Sequence, residues 1–398
     1  DQDAWLSKLD QKVLSSWVAL NSEPAELPEH YLARPELLQR LTQAKPITWL
    51  LAPAGYGKSV LLSDWYRATL ENSQTSDQPQ ALGTWVSMDI KDNQAAFLLR
   101  HILEAINNAI PGVVTDALAH LLSLDQQKNE DYEAVLLLLF DELKDLNCPL
   151  ILVMDNLHYI DKPEAWHVIQ YIMTQLPSNM RLMLSSRYIP VALGRLRLDP
   201  RLDFIQQGEL SFSLRDLDRW LKQCGIDNQQ QALGLMQRLQ GWPAGLGLWI
   251  ACRNNYGKSA MSHSQEQELL RDYFMGEVLN TLDGPLKTFL INIAPLQSFN
   301  ESLCNQVLCV DDSSHWLQQL VYFNVFISSI EQRPGWYSLH PLIVEILASL
   351  NTQQQRKQTH LLAFEYLKEH NFRIEAMQHA RLGELTEEAV KWVEKEID

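Results

Sequence analysis

No run of apolar residues in these 398 positions approaches the ~18 needed to cross a bilayer as a helix, so a membrane-spanning segment is excluded. No signal peptide is expected. Cysteine is sparse: the five (Cys148, Cys224, Cys252, Cys304, Cys309) are scattered, and no second pair completes a zinc site with Cys304 and Cys309. That usage points to reduced thiols in a cytoplasmic protein. Positive charge is also short. Against 49 Asp and Glu stand 33 Lys and Arg, a formal net charge of −16. Such a chain is a poor partner for nucleic acid over its whole surface, although a local basic site stays open. What is present is a 46% hydrophobic content, enough for two to four domains with their own cores. The chain starts without Met and stops inside a helical pattern, so a longer parent protein is expected.

Along the chain, residues 1–29 read as an amphipathic helix and a Pro/Glu-rich linker. "ITWLLAP" (47–53), "GTWVSMD" (83–89), "PLILVMD" (149–155) and "MRLMLSSR" (180–187) read as strands, the last two as continuous apolar runs buried on both faces. "SVLLSDWYRATLEN", "AAFLLRHILEAI" and "YEAVLLLLFDELKDL" have helical period. Strands alternating with helices argue for a parallel sheet covered on both sides. After residue 207 the pattern turns helical. Ser213 with Asp216 three residues on has the form of a capping box. Short apolar stretches lie at 321–330 and 336–339, and the end of the chain reads as paired helices of a helical repeat. The expected division is 1–44 (helix, linker and the segment before the first strand), 45–207 (α/β domain), 208–265 (helical domain), 266–350 (a further domain) and 351–398 (start of an α-helical solenoid).

"APAGYGKS" (52–59) follows a strand and opens a helix. It fits G-x-x-x-x-G-K-[ST] except that Ala52 replaces the first glycine. Such a loop aims backbone N–H groups and a helix N-terminus at one point, which attracts anions. Ala54, Gly55, Tyr56, Gly57, Lys58, Ser59 and Val60 are therefore the candidate phosphate cradle. Gly57 allows close approach, Lys58 reaches the outer phosphates, and the Ser59 hydroxyl ligates Mg²⁺. A second Gly-Lys-Ser, at 257–259, follows a helical run instead of a strand and is read as an exposed loop without chemistry.

A phosphate loop needs a carboxylate at the end of a buried strand to hold Mg²⁺, and Asp155 stands there. Hydrolytic relatives of this motif usually carry a second acid next to the first. Here it is Asn156, whose amide can orient water but cannot take its proton. Hydrolysis is expected to be slow or absent. His158 is a weak candidate for the base. Arg187, after the fourth strand run, can point at a γ-phosphate from the carboxyl end of the sheet.

The order of "PAGYGKS", "TWVSMDIKDN", "LILVMDNLHYI", "LMLSSRYIP" and "LQGWPAGLGL" resembles the signal-transduction ATPases with numerous domains. Among them it is similar to the large ATP-binding LuxR-type transcription regulators related to the maltose-regulon activator, over about residues 30–398. The resemblance implies a P-loop domain followed by a helical domain, a winged helix at 266–350 and a TPR-like sensor. It puts Arg34 in the segment beside adenine, Lys58 and Ser59 in Walker A, and Asp155 in Walker B. It puts Arg187 at the first sensor arginine, Pro243 of Gly241-Trp242-Pro243 against the base, and His340 on the β-phosphate of a closed ADP form. Without it, Gly241-Trp242-Pro243 would be an ordinary turn and His340 a satisfied core histidine. The expected function is an ATP/ADP switch: ADP holds a closed state, ATP an open, self-associating one. An unknown inducer binds the downstream solenoid, and DNA is reached only through a helix-turn-helix not found in these residues. The competing readings are a genuine P-loop ATPase or kinase, which a turnover above about 1 s⁻¹ would favour, and a degenerate scaffold that binds no nucleotide.

Overall fold

Short apolar runs become strands and the longer amphipathic runs between them become helices in the computed structural model, which describes residues 16–74, 81–127, 131–256, 263–330, 332–385, 387, 389, 390 and 392. The chain divides into two units. One takes the residues up to Ala52 and Tyr56–Leu210; the other takes Pro53–Gly55 and the residues from Ser211 on.

The first unit is built on five strands: β1 (Ile47–Leu51), β2 (Leu82–Ser87), β3 (Leu150–Asp155), β4 (Met180–Ser186) and β5 (Leu202–Gln206). Their order is β2-β3-β4-β1-β5 and every pairing is parallel. Parallel neighbours need crossovers, and helices supply them: α1 (Pro35–Gln43) precedes the sheet, and α2 (Lys58–Gln74), α3 (Ala95–Ala109), α4 (Thr115–Gln127), α5 (Tyr132–Lys144) and α6 (Pro163–Thr174) interleave with the strands. All six residues of β3 are buried, so helices cover both faces there. Trp49, Leu152, Met154 and Leu182 join Leu98, Ile102, Leu139 and Ile169 in one core. Burying each such side chain contributes about 1.5–3 kcal/mol.

The four strand expectations stand, and a fifth strand, β5, escaped the reading. Asp203 breaks its apolar run. In the fold that carboxylate is met by Arg40, whose Nε and Nη2 lie 3.2 and 3.0 Å from its oxygens. The partner comes from α1, far away in sequence.

The second unit is mainly helical: α7 (Leu214–Gln223), α8 (Gln229–Leu239), α9 (Pro243–Tyr256), α10 (His263–Glu277), α11 (Gly284–Ile293), α12 (Glu301–Leu308), α13 (Ser313–Tyr322), α14 (Pro341–Ala348), α15 (Gln353–Glu369) and α16 (Arg373–Leu382). The capping box of α7 forms as expected: Ser213 Oγ accepts from the Asp216 N–H at 3.1 Å, and the Asp216 carboxylate accepts from the Ser213 N–H. The two apolar stretches contribute β7 (Ile327–Ser329) and β8 (Tyr337–Leu339), which join β6 (Ser298–Phe299) in an antiparallel sheet of order β6-β8-β7. The expected segments 208–265, 266–350 and 351–398 fall within this unit, save for its first residues up to Leu210. The second Gly-Lys-Ser follows α9, a helix as read, and itself lies outside the described residues.

Candidate phosphate-binding site

In the first unit the chemistry gathers at the carboxyl ends of β1, β3 and β4. The loop after β1 runs from Ala52 to Gly57, and α2 starts at Lys58 with no acidic residue in its first turn. Both Gly55 and Gly57 are left-handed, φ 77° and 75°. At Gly57 an added Cβ would meet nothing within 4 Å. Lys58 is 7% exposed and its ammonium donates to the Ala52 carbonyl at 2.7 Å. Burial pulls its pKa down to about 7; Arg187 pushes the same way and Asp155 opposes. Ser59 and Val60 follow in the first turn of α2, both half-buried.

Asp155 closes β3 and is buried. Its Oδ1 accepts from the Asn156 N–H at 2.9 Å and from the Ser185 hydroxyl on β4. Asn156 sits at φ 61°, the left-handed region in which Asn is among the most tolerated non-glycine residues. The position selects for a short polar side chain on backbone grounds alone. His158, two residues after Asn156, has both ring nitrogens buried with no hydrogen-bond partner among the described residues. Burial, then Arg187 and Lys58, push its pKa down to about 2. A ring so reluctant to accept a proton is a poor general base at neutral pH.

Lys58, Asp155, His158 and Arg187 thus lie within electrostatic reach of one another, as the sequence reading required of three of them. The group fits an anion. Cationic Lys58 and Arg187 repel, two imidazole nitrogens lack partners, the helix N-terminus carries no carboxylate, and the space above Gly57 is open. Among the described residues no cluster of three or more His, Cys, Asp or Glu side chains could hold a metal. Asp155 with the Ser59 hydroxyl suits Mg²⁺, which takes one or two carboxylates and completes its shell with phosphate oxygens and water.

Other candidates are placed differently. Arg34 precedes α1, and its guanidinium donates to the Leu210 and Glu209 carbonyls at 2.6 and 2.9 Å. Tyr56 is buried with its hydroxyl accepting from Gln207, 2.9 Å away. In the second unit, Trp242 Nε1 donates to the Ala54 carbonyl at 3.0 Å and the Ala244 N–H donates to the Gly55 carbonyl at 2.9 Å. A Cβ on Gly55 would come within 2.5 Å of the Ala244 methyl and 2.7 Å of Trp242 Nε1. Pro243 starts α9, half-buried. Trp242 packs edge-on against Phe326 (ring centroids 5.3 Å), and Phe326 against His340 (5.9 Å). His340 is 6% exposed; its Nδ1 accepts from the Leu342 N–H and its Nε2 donates to the Leu239 carbonyl at 3.2 Å. Burial holds its pKa down at about 4. Ser185 and Trp242 were the residues sequence reasoning passed over. Ser185 stood in plain view in "LSSR", and the indole donor is visible in "GWP" only as bulk.

The chain is similar to the MalT regulators. It is 27% identical over 374 residues to the HTH-type transcriptional regulator MalT of Klebsiella pneumoniae (strain 342), covering 90% of this chain and 40% of that protein. The Vibrio cholerae serotype O1 MalT is 27% identical over 372 residues, 89% of this chain and 39% of its own length. The chain therefore spans about 40% of the length of these relatives. The MalT winged helix domain family matches residues 275–359, and the nephrocystin 3 N-terminal family matches residues 29–187. The expected resemblance to maltose-activator-like regulators stands, and the three-stranded sheet with its helices falls in the winged-helix match. Solved structures with weaker likeness include a STAND protein with a tetratricopeptide repeat sensor from Pyrococcus horikoshii (TM-score 0.39, 13% identity, 92% of this chain, 51% of that one). The Aeropyrum pernix ORC1 protein in complex with DNA gives a TM-score of 0.40 at 14% identity, 84% of this chain and 96% of that one. No helix among the described residues is long and apolar enough to cross a membrane.

Proposed function

We propose that this chain is the nucleotide-binding switch of a signal-responsive transcription regulator, taking ATP or ADP with Mg²⁺ at the loop Ala52–Ser59. The observation that carries the reading is the pairing of a buried, charge-poor Lys58 with a His158 whose ring nitrogens have no partner, both beside Arg187. A polyphosphate relieves that arrangement. Lys58 would hold its outer oxygens, Arg187 the γ-phosphate, and Ser59 with Asp155 the Mg²⁺. The metal's chemistry there is charge neutralisation between phosphates.

A shift between states from about 1:99 to 99:1 needs roughly 5.5 kcal/mol of differential binding. Two to four charge-assisted bonds to one phosphate, about 1.5–3 kcal/mol each, reach that. ATP then favours an open, self-associating state and ADP a closed one. Turnover is slow because neither Asn156 nor His158 can take a proton from water. In the ADP-favoured state Nε2 of His340 gives up the Leu239 carbonyl. The inducer acts on a downstream sensor, and DNA is bound by a further segment of a longer parent protein.

Calorimetry with ATP and with ADP, Mg²⁺ present, tests this on the wild type and on Lys58→Ala. The wild type binds both, and the variant loses roughly 10- to 150-fold, the worth of one charge-assisted bond at about 1.5–3 kcal/mol. A wild type without affinity for either nucleotide sinks the proposal. His340→Ala weakens ADP more than ATP; equal losses remove His340 from the switch. Asn156→Asp raises phosphate release if a missing carboxylate limits hydrolysis.

A further inference from the structure

The second unit holds a cavity of about 280 Å³ where α14 meets the helix pair α15 and α16, and the nucleotide reading makes no use of it. Val344 and Leu382 give it apolar wall; Arg356, Lys357, His360 and Glu384 give it polar wall. Lys357 and Glu384 pair with each other, so their charges cancel locally. Arg356 makes no side-chain hydrogen bond or ion pair among the described residues, which leaves one uncompensated guanidinium on the cavity.

Behind the wall, Nδ1 of His360 lies 2.9 Å from Nδ1 of His379, and the two residues are only 7% and 6% exposed. One Nδ1 donates and the other accepts, so each ring spends that nitrogen on its neighbour. His360 Nε2 has no partner among the described residues and no place among the sealed-off polar atoms. The cavity therefore combines a planar cationic fork, an unspent ring nitrogen and an apolar wall. A neutral sugar leaves the guanidinium unmatched, and a plain anion lacks the hydroxyl that can meet that nitrogen in either tautomer.

We propose that this cavity binds a small hydroxylated anion, a sugar phosphate or a hydroxy-carboxylate, with the anionic group on Arg356 and a hydroxyl hydrogen-bonded to His360 Nε2. A ligand there touches α14, α15 and α16 together and so ties the start of the helix pair to the helix before it. The site stands whether or not the loop at Lys58 binds nucleotide.

Calorimetric titration of the full chain tests it, in a Lys58→Ala background so that the phosphate loop contributes nothing. The probes are glycerol 3-phosphate, gluconate, inorganic phosphate and, as a neutral control, glycerol. One of the first two binds saturably with Kd below about 1 mM, and which one does separates phosphate from carboxylate chemistry. Glycerol does not bind. Arg356→Ala, at an exposed position, weakens binding tenfold or more. His360→Asn keeps a polar partner for His379 but removes Nε2, and it abolishes the preference over inorganic phosphate. Failure of both hydroxylated anions to bind below about 1 mM overturns the proposal, as does unchanged affinity in Arg356→Ala.

Discussion

His158 in the first unit and His340 in the second are both largely buried, and burial lowers the pKa of each, to about 2 and about 4. Their surroundings differ in one respect. His340 spends both ring nitrogens on the chain itself, on the Leu342 N–H and the Leu239 carbonyl. His158 spends neither. The same contrast separates the two glycines of the loop. Gly55 is pressed against Trp242 and Ala244, while Gly57 has open space where a Cβ would be. One region is filled by its own side chains; the other has polar atoms and room that the chain does not use. A depressed pKa alone would not tell them apart, because desolvation acts on both. Counting hydrogen-bond partners does.

The largest effect expected from breaking the comparison is at Gly55→Ala. A methyl there must displace the indole or the Ala244 methyl, and the left-handed backbone adds its own cost, together roughly 2–5 kcal/mol. Gly57→Ala bears the backbone cost alone, about 1–2 kcal/mol. Urea unfolding of the two variants measures the gap; equal losses would mean that packing at Gly55 is slack. His340→Ala comes next at about 2–3 kcal/mol, since it frees a helix cap and a buried carbonyl at once. His158→Phe, in the absence of nucleotide, should lie within about 0.5 kcal/mol of wild type or above it, because no bond is lost. A loss at His158 as large as that at His340 would erase the distinction.

Lys58 sharpens it by titration. Unfolded, its ammonium holds its proton to about pH 10.5; folded, only to about 7. Between those values the unfolded chain binds the extra proton, so this residue costs stability progressively as pH falls from 10.5 toward 7, and fully below. An anion at the loop reverses the shift. Nucleotide binding at pH 8 should take up as much as one proton, seen as a heat that depends on the buffer, and Lys58→Met should abolish it. Uptake that survives the substitution places the proton elsewhere.

Much of this was legible in the residues. Unbroken apolar runs announced β3 and β4, and Gly57-Lys58-Ser59 after a strand announced the loop. Ser213 and Asp216 announced a helix start. What stayed hidden depended on distant partners. β5 went unread because Asp203 interrupts its apolar run, and the Arg40 that meets this carboxylate comes from far away in sequence. Asn156 looked like a catalytic loss, yet its left-handed backbone gives an independent reason for the residue. Gly55 looked like a phosphate glycine and is held to its size by Trp242, 187 positions along.

Periodicity and local motif are properties of neighbours in sequence. Residue order alone therefore determined the alternation of strands and helices, the glycine-bearing loop between β1 and α2 and the acidic balance of charge. Whether a buried nitrogen finds an acceptor, whether a glycine faces an indole or open space, and whether a lysine keeps its proton all depend on groups brought together across tens or hundreds of residues. Hydrogen bonds and desolvation act over a few ångströms of space, so those questions were decided only when the chain folded.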